Sequence, residues 1–465
     1  MEKEKKSKEE LLKEQLFYVK KKAFKDATDG YKKDVFDYAK DYISFLNDSK
    51  TEREAVVSAI ALAEKAGYTE YNLGDELKVG GKYYLNNRGK SLIAFKIGKK
   101  DLEQGVKICA AHIDSPRLDL KQHPLYENED LAYLKPHYYG GIRKYQWTTI
   151  PLALHGVIVK ASGEKVNVVI GEDDDDPVFC ITDLLPHLAK DQSALPLATA
   201  FSGEGLNLLV GSEPYGDVKD GVKLNVLRLL NEKYGVTESD LISAEISAVP
   251  ADKARDLGLD RSMILGYGHD DRVCAYPALT ALLDDDGDNT VMTVLADKEE
   301  IGSEGVSGMR CKLMIDLLGE IAKAFGKDVA VIKSRSACLS ADVSAGYDPM
   351  YAEVFEKNNA AIMNAGVVMC KFTGARGKSG SSDASAEFVG EVRRTFDEAN
   401  VLWQTAELGK VDVGGGGTVA MYIAEHNIDT VDLGVPVLSM HAPLEVVAKT
   451  DLYETYKAFK AFMKK

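Results

Sequence analysis

The feature of this chain that most constrains its fold is a series of short apolar runs, each ending in polar residues. Such runs are typical of buried strands that feed a loop at the edge of a sheet. They read VKICAAHIDSP from Val106, TVMTVLADKEE from Thr290, DVAVIKSRSACLSADVS from Asp328 and DTVDLGVPVLSMHAP from Asp429. Stretches typical of helices lie between them: RVCAYPALTALLDD, CKLMIDLLGEIAKAFGK and SSDASAEFVGEVRRTFDEA. This alternation predicts an α/β domain with a mostly parallel central sheet flanked by helices.

The segment from Gln122 to Val249 has a different pattern, which favours a β-rich insertion. Apolar and polar residues alternate in LHGVIVKASGEKVNVVIGE, and the segment is interrupted by Gly, Pro and the acidic run Asp173–Asp176. The predicted domains are the first part of the α/β domain at 1–121, the inserted domain at 122–249, and the second part of the α/β domain at 250–465. Apolar residues at helical spacing between Lys8 and Asp48 predict amphipathic helices near the start of the chain.

The charge of the chain argues against nucleic acids and anionic membranes as partners. Lys and Arg total 58 and Asp and Glu total 73, so the net charge is −15, and a field of that sign repels phosphate groups. No apolar run approaches the roughly 18 residues of a membrane span, and the charged start MEKEKKSKEE is unlike a signal peptide. The six cysteines contain no CxxC pair and fit buried, reduced thiols. We therefore expect a cytoplasmic protein.

Polar residues at the ends of the apolar runs form the candidate site. In an open α/β sheet, ligands bind beyond the carboxyl ends of the strands, where residues distant in sequence can meet. Imidazoles and carboxylates without thiolates suit zinc, cobalt or manganese. The candidates are His112, Asp114, Asp270, Glu299, Glu300, Asp342 and His441.

A pair of divalent ions would balance the charge of these candidates. The ions bring four positive charges, a hydroxide brings one negative charge, and three carboxylates bring the rest: Asp270 as a bridge, Glu300 and Asp342. The two imidazoles, His112 and His441, complete the ligand set. Such a pair polarises a carbonyl and supplies hydroxide at neutral pH. Glu299 is then available as a general base, and Asp114 as the partner that orients the His112 ring.

Each candidate, taken singly, is also explained as an ordinary polar residue in a loop or at a strand end. Paired acidic residues are common in loops, and this chain has another run at Asp284–Asp286. Several such groups at successive strand ends together favour a shared site over unrelated surface residues. Spacing alone leaves both interpretations open.

Five segments, in chain order, resemble the signatures of the aspartyl aminopeptidases, a family of cytosolic dinuclear-zinc metallopeptidases related to the tetrahedral aminopeptidases. They are AAHIDSPRLDLK, GHDDR, DKEEIGSEG, SADVSAG and SMHAPLEV, and they extend from about residue 100 to the C-terminus. The resemblance implies a phosphorylase/hydrolase-like zinc peptidase domain that holds two Zn²⁺ ions, with Co²⁺ or Mn²⁺ as alternatives. It implies the same ligand, base and orienting roles as the charge argument, and a cis peptide bond between Asp270 and Asp271.

The resemblance also implies an assembly and a substrate preference. The family's β-rich insertion mediates dimer contacts within a tetrahedral dodecamer, so we expect a homo-oligomer. LLPHLAK resembles the segment whose histidine reaches the active site of a neighbouring subunit, which makes His187 a candidate for substrate binding, with a surface histidine as the alternative. Lys371 in VVMCKFTG aligns with a lysine that pairs with acidic N-terminal side chains. Ala345 stands where animal members have a histidine, which leaves a broader or apolar preference open.

The sequence thus predicts a metalloaminopeptidase that hydrolyses the N-terminal residue from peptides, with Asp or Glu as candidate preferred residues. A hydroxide activated by two metals attacks the scissile carbonyl, and Glu299 acts as the general base. One alternative is a related di-metal amidohydrolase, a carboxypeptidase or deacylase, that uses the same ligands. Another is a catalytically inactive peptide-binding cage.

Overall fold

The computed structural model describes residues 7–25 and 27–465 of the chain. The charged start discussed above, at residues 1–6, lies outside the described residues. The helices are α1 (Lys8–Leu16), α2 (Asp29–Asn47), α3 (Glu52–Lys65), α4 (Lys190–Ser193), α5 (Leu197–Ala200), α6 (Gly221–Tyr234), α7 (His269–Leu283), α8 (Leu313–Ala324), α9 (Val329–Arg335), α10 (Ala386–Glu398), α11 (Ala420–Ala424) and α12 (Lys449–Lys464).

The strands of the described residues form three sheets. In chain order they are β1 (Thr69–Glu70), β2 (Lys82–Asn87), β3 (Ser91–Lys96), β4 (Lys107–His112), β5 (Arg117–Asn128), β6 (Leu131–Tyr139), β7 (Leu152–Val159), β8 (Lys165–Ile170), β9 (Leu208–Gly211), β10 (Ala244–Pro250), β11 (Arg255–Leu257), β12 (Met263–Gly266), β13 (Val291–Ala296), β14 (Ala337–Ala341), β15 (Ser344–Ala345), β16 (Val367–Cys370), β17 (Trp403–Thr405), β18 (Asp429–Gly434), β19 (Pro436–Leu438) and β20 (Glu445–Ala448).

The central sheet has the order β1-β2-β3-β13-β4-β14-β18-β16-β17. Its middle strands β13, β4, β14 and β18 pair in parallel. Along β4, Cys109 and Ala111 pack in one hydrophobic cluster with residues of α7 and α12, whereas Ile108 and Ala110 pack in a second cluster with residues of α8 and α11. Both faces of the sheet are therefore covered by helices. This is expected for continuous apolar runs, because successive side chains of a strand point to opposite faces. The predicted α/β fold class is confirmed.

A second, antiparallel sheet has the order β8-β7-β10-β5-β6-β9, and α6 packs against it. Its strands lie between Arg117 and Pro250, in the region where the sequence predicts the β-rich insertion. The division of the chain into 1–121, 122–249 and 250–465 stays a prediction. A third, smaller sheet has the order β11-β12-β20-β19-β15.

Two apolar runs differ from their predicted form. The first part of the run from Asp328 is helix α9, because the Asp328 side chain accepts the backbone N–H of Ala330 and caps it. The strand of this run begins only at Ala337. The run from Asp429 divides into β18 and β19, which belong to different sheets. Gly434 ends β18, and a Cβ atom there would lie 1.7 Å from the carbonyl oxygen of Asp342, so glycine allows this close approach.

Among the helices of the described ranges, none combines the length and the apolar character needed to cross a bilayer.

Candidate metal centre

The predicted metal ligands meet at the carboxyl edge of the central sheet. His112 is the last residue of β4, and Asp342 directly follows β14. Glu300 lies in a short 3-10 turn after β13, Asp270 lies at the start of α7, and His441 follows β19. Four of the five therefore sit on or just beyond the ends of the apolar runs, where the sheet brings distant residues together.

Asp270 lies between the two imidazoles. Its Oδ1 is 3.3 Å from Nε2 of His112, and its Oδ2 is 3.2 Å from Nε2 of His441. Asp342 flanks the first imidazole, with Oδ1 3.6 Å from His112 Nε2. Glu300 flanks the second, with Oε1 3.6 Å from His441 Nε2. The donor atoms thus form two groups that share one carboxylate.

Asp271 is a further candidate ligand, to which the sequence analysis gave no metal-binding role. One oxygen of Asp271, one nitrogen of His112 and one oxygen of Asp342 lie within 4.8 Å of one another. Asp271 Oδ2 accepts the backbone N–H of His112 at 3.2 Å. Its Oδ1 is buried and has no hydrogen-bond partner among the described residues. The peptide bond between Asp270 and Asp271 is cis, as the family resemblance implies.

Asp114 is fully buried beneath these ligands. Its backbone carbonyl accepts a hydrogen bond from Nδ1 of His112 at 3.0 Å, and its Oδ1 is 3.3 Å from the same nitrogen. Its carboxylate also accepts the backbone N–H groups of Glu299 at 3.1 Å and of Glu300 at 3.2 Å. The structure therefore brings Asp114 to the ring it is predicted to orient. It adds contacts to the Glu299–Glu300 turn that the sequence did not predict.

Glu445 is a second buried carboxylate that supports the site, and sequence reasoning missed it. Its Oε2 accepts the backbone N–H of Asp270 at 3.0 Å, and its Oε1 accepts that of His441 at 2.7 Å. The side chain is almost inaccessible to solvent. Its one sequence signal is a glutamate at the start of the otherwise apolar strand β20, since a charge in such a position needs buried partners.

Negative charge is in excess at this edge of the sheet. Burial, reinforced by the Asp342 carboxylate, raises the pKa of Glu299 to about 8. Burial and the charge of Asp270 also raise the pKa of Glu300 well above its ordinary value. Burial lowers the pKa of His441, but the hydrogen bond and charge of Asp270 outweigh this effect and raise it to about 10.

The donor set fits divalent metal ions. Asp270 Oδ1 and Glu300 Oε1 are buried without a hydrogen-bond partner in the described part of the chain, which is costly for carboxylates unless a cation balances them. Imidazole nitrogens and carboxylate oxygens are the ligands that zinc takes at catalytic centres. The five predicted ligands, together with Asp271, can hold such ions.

A cavity of about 410 Å³ opens beside the metal ligands. Its lining includes the carboxylate residues Glu299, Glu300 and Asp342 and the apolar residues Phe372 and Leu408. Glu299 Oε2 lies 4.0 Å from Nε2 of His112, so the predicted base faces the same space as the ligands. The cavity is large enough for an amino-acid side chain and the adjoining peptide group.

The two predicted substrate-binding residues lie apart from this cavity. Lys371 pairs with Asp383 and is not among the residues that line the cavity, although its neighbours Cys370 and Phe372 are. His187 is exposed in a turn between β8 and α4. Within the described residues of a single chain, no contact joins His187 to the metal ligands.

Comparisons with known proteins point to one family. The family model described as "Aminopeptidase I zinc metalloprotease (M18)" matches residues 45–463. A protein of Clostridium acetobutylicum named "Probable M18 family aminopeptidase 1" is 50% identical over 458 residues, 95% of this chain and 98% of the relative. A crystal structure of an M18-family aminopeptidase from Thermotoga maritima superposes with a TM-score of 0.93 at 42% identity and covers 97% of this chain and 100% of that one. The mApe1 dodecamer of S. cerevisiae shares the fold at 22% identity, with a TM-score of 0.75 over 92% of this chain and 96% of that one.

Proposed function

The chain belongs to the aminopeptidase I zinc metalloprotease family (M18) and is a zinc aminopeptidase, and we propose that its active site holds two Zn²⁺ ions with Asp270 as their shared ligand. The membership confirms the resemblance and the enzyme class predicted from the sequence. It favours an aminopeptidase over a related amidohydrolase or an inactive peptide-binding cage. The observation that supports two ions is that the two oxygens of Asp270 face different imidazoles, those of His112 and His441.

Each ion would have its own set of ligands beside Asp270. His112 and Asp342 would hold one ion, and His441 and Glu300 the other. We expect about two zinc ions per chain by metal analysis, and loss of zinc from the variant Asp270→Asn. Two ions per chain in that variant would contradict the bridging role. Cobalt and manganese suit the same donors.

Glu299 is the residue that moves the proton in this proposal. When bound, the ions supply Lewis acidity that polarises the scissile carbonyl and makes a water molecule more acidic. Glu299 takes no part in either ligand group, and its Oε2 lies within 4.0 Å of His112 Nε2. It accepts the proton of the attacking water and donates it to the leaving amine. The carboxylates around it also suit the positive charge of a free peptide α-amine.

The variant Glu299→Gln tests this assignment. Because it removes the proton acceptor and keeps the shape, we expect kcat to fall about 100- to 10,000-fold while zinc content stays at the wild-type value. Glu304→Gln is the matched control, since Glu304 lies further along the same loop, exposed and paired with Arg310. Wild-type kcat in Glu299→Gln would contradict the role. A peptide supplied free and N-acetylated checks that cleavage needs the free amine.

We infer the preferred N-terminal residue from the composition of the cavity wall. An acidic preference would require Lys371 to leave Asp383 and reach the cavity. The wall itself includes the apolar Phe372 and Leu408 and the buried carboxyl of Asp432. This composition supports a neutral side chain over Asp or Glu, because the carboxyl group of Asp432 would repel the carboxylate of an acidic substrate side chain.

A panel of aminoacyl amides separates the two preferences. We expect Leu- and Met-amides to have a higher kcat/KM than Asp- and Glu-amides with zinc, cobalt and manganese alike. The variant Lys371→Met should leave this order unchanged. A selective loss of activity on Asp- and Glu-amides in Lys371→Met would instead establish the acidic preference.

We propose a dimer-based homo-oligomer, with a tetrahedral dodecamer as its full form. Support comes from the segment between β8 and β9, which exposes several leucines: Leu184, Leu185, Leu188, Leu195 and Leu197. The S. cerevisiae relative with this fold is a dodecamer. His187 lies among these leucines, and we place it at the active site of a neighbouring subunit. Light scattering measures the assembly directly.

Mixing two inactive variants tests the shared site. His187→Ala lacks only the histidine, and Glu299→Gln lacks only the base. If the histidine acts in a neighbouring subunit, mixed oligomers contain some complete sites, and activity returns in part after subunit exchange. Absence of any recovery, with exchange verified by mass spectrometry, would contradict the role of His187 between subunits.

A further inference from the structure

The turn at the end of β6 passes from the inserted sheet to the metal centre. It consists of Tyr139, Gly140 and Gly141, and we call it the Tyr139–Gly141 turn. Each of its three residues contacts a different part of the site already described. None of them is among the predicted metal ligands, and the Tyr139 hydroxyl is bonded to Asp114, so their contribution is to the position of other residues.

Tyr139 contacts the site through Asp114. Its hydroxyl donates a hydrogen bond of 2.8 Å to Asp114 Oδ2, the carboxylate that also accepts the backbone N–H groups of Glu299 and Glu300. The ring is held in turn by Arg117, whose guanidinium carbon lies 4.1 Å from the ring centroid. A buried carboxylate with all these donors has a single favourable orientation, and Tyr139 supplies one of them.

Gly141 contacts the site through a backbone carbonyl. Its oxygen lies 2.7 Å from Nδ1 of His441. Because a carbonyl can only accept, Nδ1 carries the hydrogen, and Nε2, the nitrogen that faces Asp270 and Glu300, is left as the atom that would bind a metal ion. A partner on the second ring nitrogen fixes both the tautomer and the ring orientation of a metal-binding histidine.

Gly140 leaves the space that Glu300 occupies. A Cβ atom at this position would lie 3.0 Å from Glu300 Oε2 and 3.3 Å from its Cβ. The backbone also has φ +73° here, in the left-handed region that favours glycine. Glu300 has its other oxygen toward His441, so a side chain at residue 140 would push a predicted ligand out of position.

We propose that the Tyr139–Gly141 turn is a positioning element of the metal centre, so that the inserted sheet sets the zinc affinity and the turnover of a site whose ligands all lie outside it. The inference rests on the proposed ligand roles of His441 and Glu300. The carbonyl of Gly141 holds the His441 ring, and Gly140 leaves room for Glu300. Tyr139 orients Asp114, which accepts the backbone N–H of Glu299.

Zinc affinity, measured by competition with a chromogenic chelator, tests the proposal without reference to activity. Gly140→Ala should weaken zinc binding about 10- to 100-fold, because it displaces a ligand. Tyr139→Phe should weaken it about two- to tenfold. At saturating zinc, Tyr139→Phe should lower kcat and leave KM within about twofold, since Asp114 holds the Glu299 backbone.

Matched controls separate positioning from general damage to the inserted sheet. Gly163→Ala introduces the same backbone strain, at φ +86°, in the β7–β8 hairpin, where nothing lies within 4 Å of the new Cβ. Tyr138→Phe removes the hydroxyl of the adjacent, half-exposed tyrosine. Both controls should bind zinc as the wild type does. Zinc affinity reduced equally in Gly163→Ala and Gly140→Ala would overturn the proposal, because strain alone would then explain the effect.

The variant Asp270→Asn distinguishes failure of this inference from failure of the proposed function. If Asp270→Asn loses zinc while Gly140→Ala and Tyr139→Phe bind it with wild-type affinity, the ligand set stands and the positioning role is wrong. If Asp270→Asn binds zinc as the wild type does, the ligand set itself is wrong, and the positioning role falls with it.

Discussion

His155 joins the inserted sheet to the α/β domain, and its geometry predicts a pH-dependent stability. It lies on β7 and is buried. Its Nδ1 is 2.7 Å from Glu54 Oε1 on α3, and its Nε2 is 3.0 Å from Glu172 Oε1 just after β8. Since both neighbours are carboxylates and can only accept, the ring makes both hydrogen bonds only as the doubly protonated imidazolium.

The size of the effect follows from the pKa. Burial lowers the pKa of His155, but the bonds to Glu172 and Glu54 outweigh it and raise the pKa from 6.5 to about 8. At about 1.4 kcal/mol for each tenfold change in proton affinity, this corresponds to about 2 kcal/mol of unfolding free energy. Because the folded-state pKa is the raised one, this stability is fully present below pH 6.5 and is lost as the pH rises through 8.

Urea unfolding at pH 6 and pH 9 measures this contribution. The variant His155→Gln should be less stable than the wild type by about 2 kcal/mol more at pH 6 than at pH 9. Comparing the two proteins at each pH, at one chain concentration, cancels the titration of other groups and the effect of assembly. The control His123→Gln replaces an exposed histidine of β5 in the same sheet and should show no such difference.

An equal stability loss at pH 6 and pH 9 would refute the reasoning, because the histidine would then act by packing alone. A larger loss at pH 9 would refute it as well, since the sign requires the charged form to be the stabilising one. Lys50, 3.5 Å from Glu172 Oε1, is unchanged in the variant, and we expect it to keep its pairing with that carboxylate.

Two further predictions concern the metal ligands. Replacement of Glu445 by leucine leaves the buried N–H groups of Asp270 and His441 without an acceptor, so zinc affinity should fall about 10- to 100-fold. Competition with a chelator measures the affinity. An unchanged affinity would show that Glu445 does not support the ligands. Removal of zinc with EDTA should lower the melting temperature, because the clustered carboxylates then repel one another without a cation. Zinc at 100 times its dissociation constant should restore about 2.7 kcal/mol of unfolding free energy for each ion bound. A melting temperature independent of zinc would contradict a buried metal centre.

The fold and the candidate ligands are predictable from the sequence where a polar residue stands at the end of an apolar run, because that position alone places it at the end of a strand. His112 ends the apolar run of β4, and Asp342 directly follows that of β14. Parallel strands end at one edge, so placing these residues on strand ends is enough to bring them together. The same reasoning was wrong for the residues after Asp328, because a local side-chain cap outweighed the β-branched composition and started helix α9.

The residues that support the ligands are much harder to predict, because their contacts are mostly with the backbone. Glu445 accepts two backbone N–H groups, and Gly141 contributes only a carbonyl oxygen. Every residue has a backbone carbonyl and every residue except proline has a backbone N–H, so such contacts leave almost no pattern of residue types in the sequence. They depend on where two distant loops meet, which only the folded chain determines.

The proposed ligands and the residues that support them link the inserted sheet to the metal centre. The proposed ligands lie outside the inserted sheet, whereas Tyr139 of the proposed Tyr139–Gly141 turn and His155 belong to it. If the turn improves zinc binding by a given free energy, zinc must improve the docking of the inserted sheet by the same amount, because binding free energies are reciprocal. Loosening the sheet at His155 should therefore weaken zinc binding even though that residue contacts no ligand. An aminopeptidase built in this way has a fully formed site only when its inserted sheet is in place.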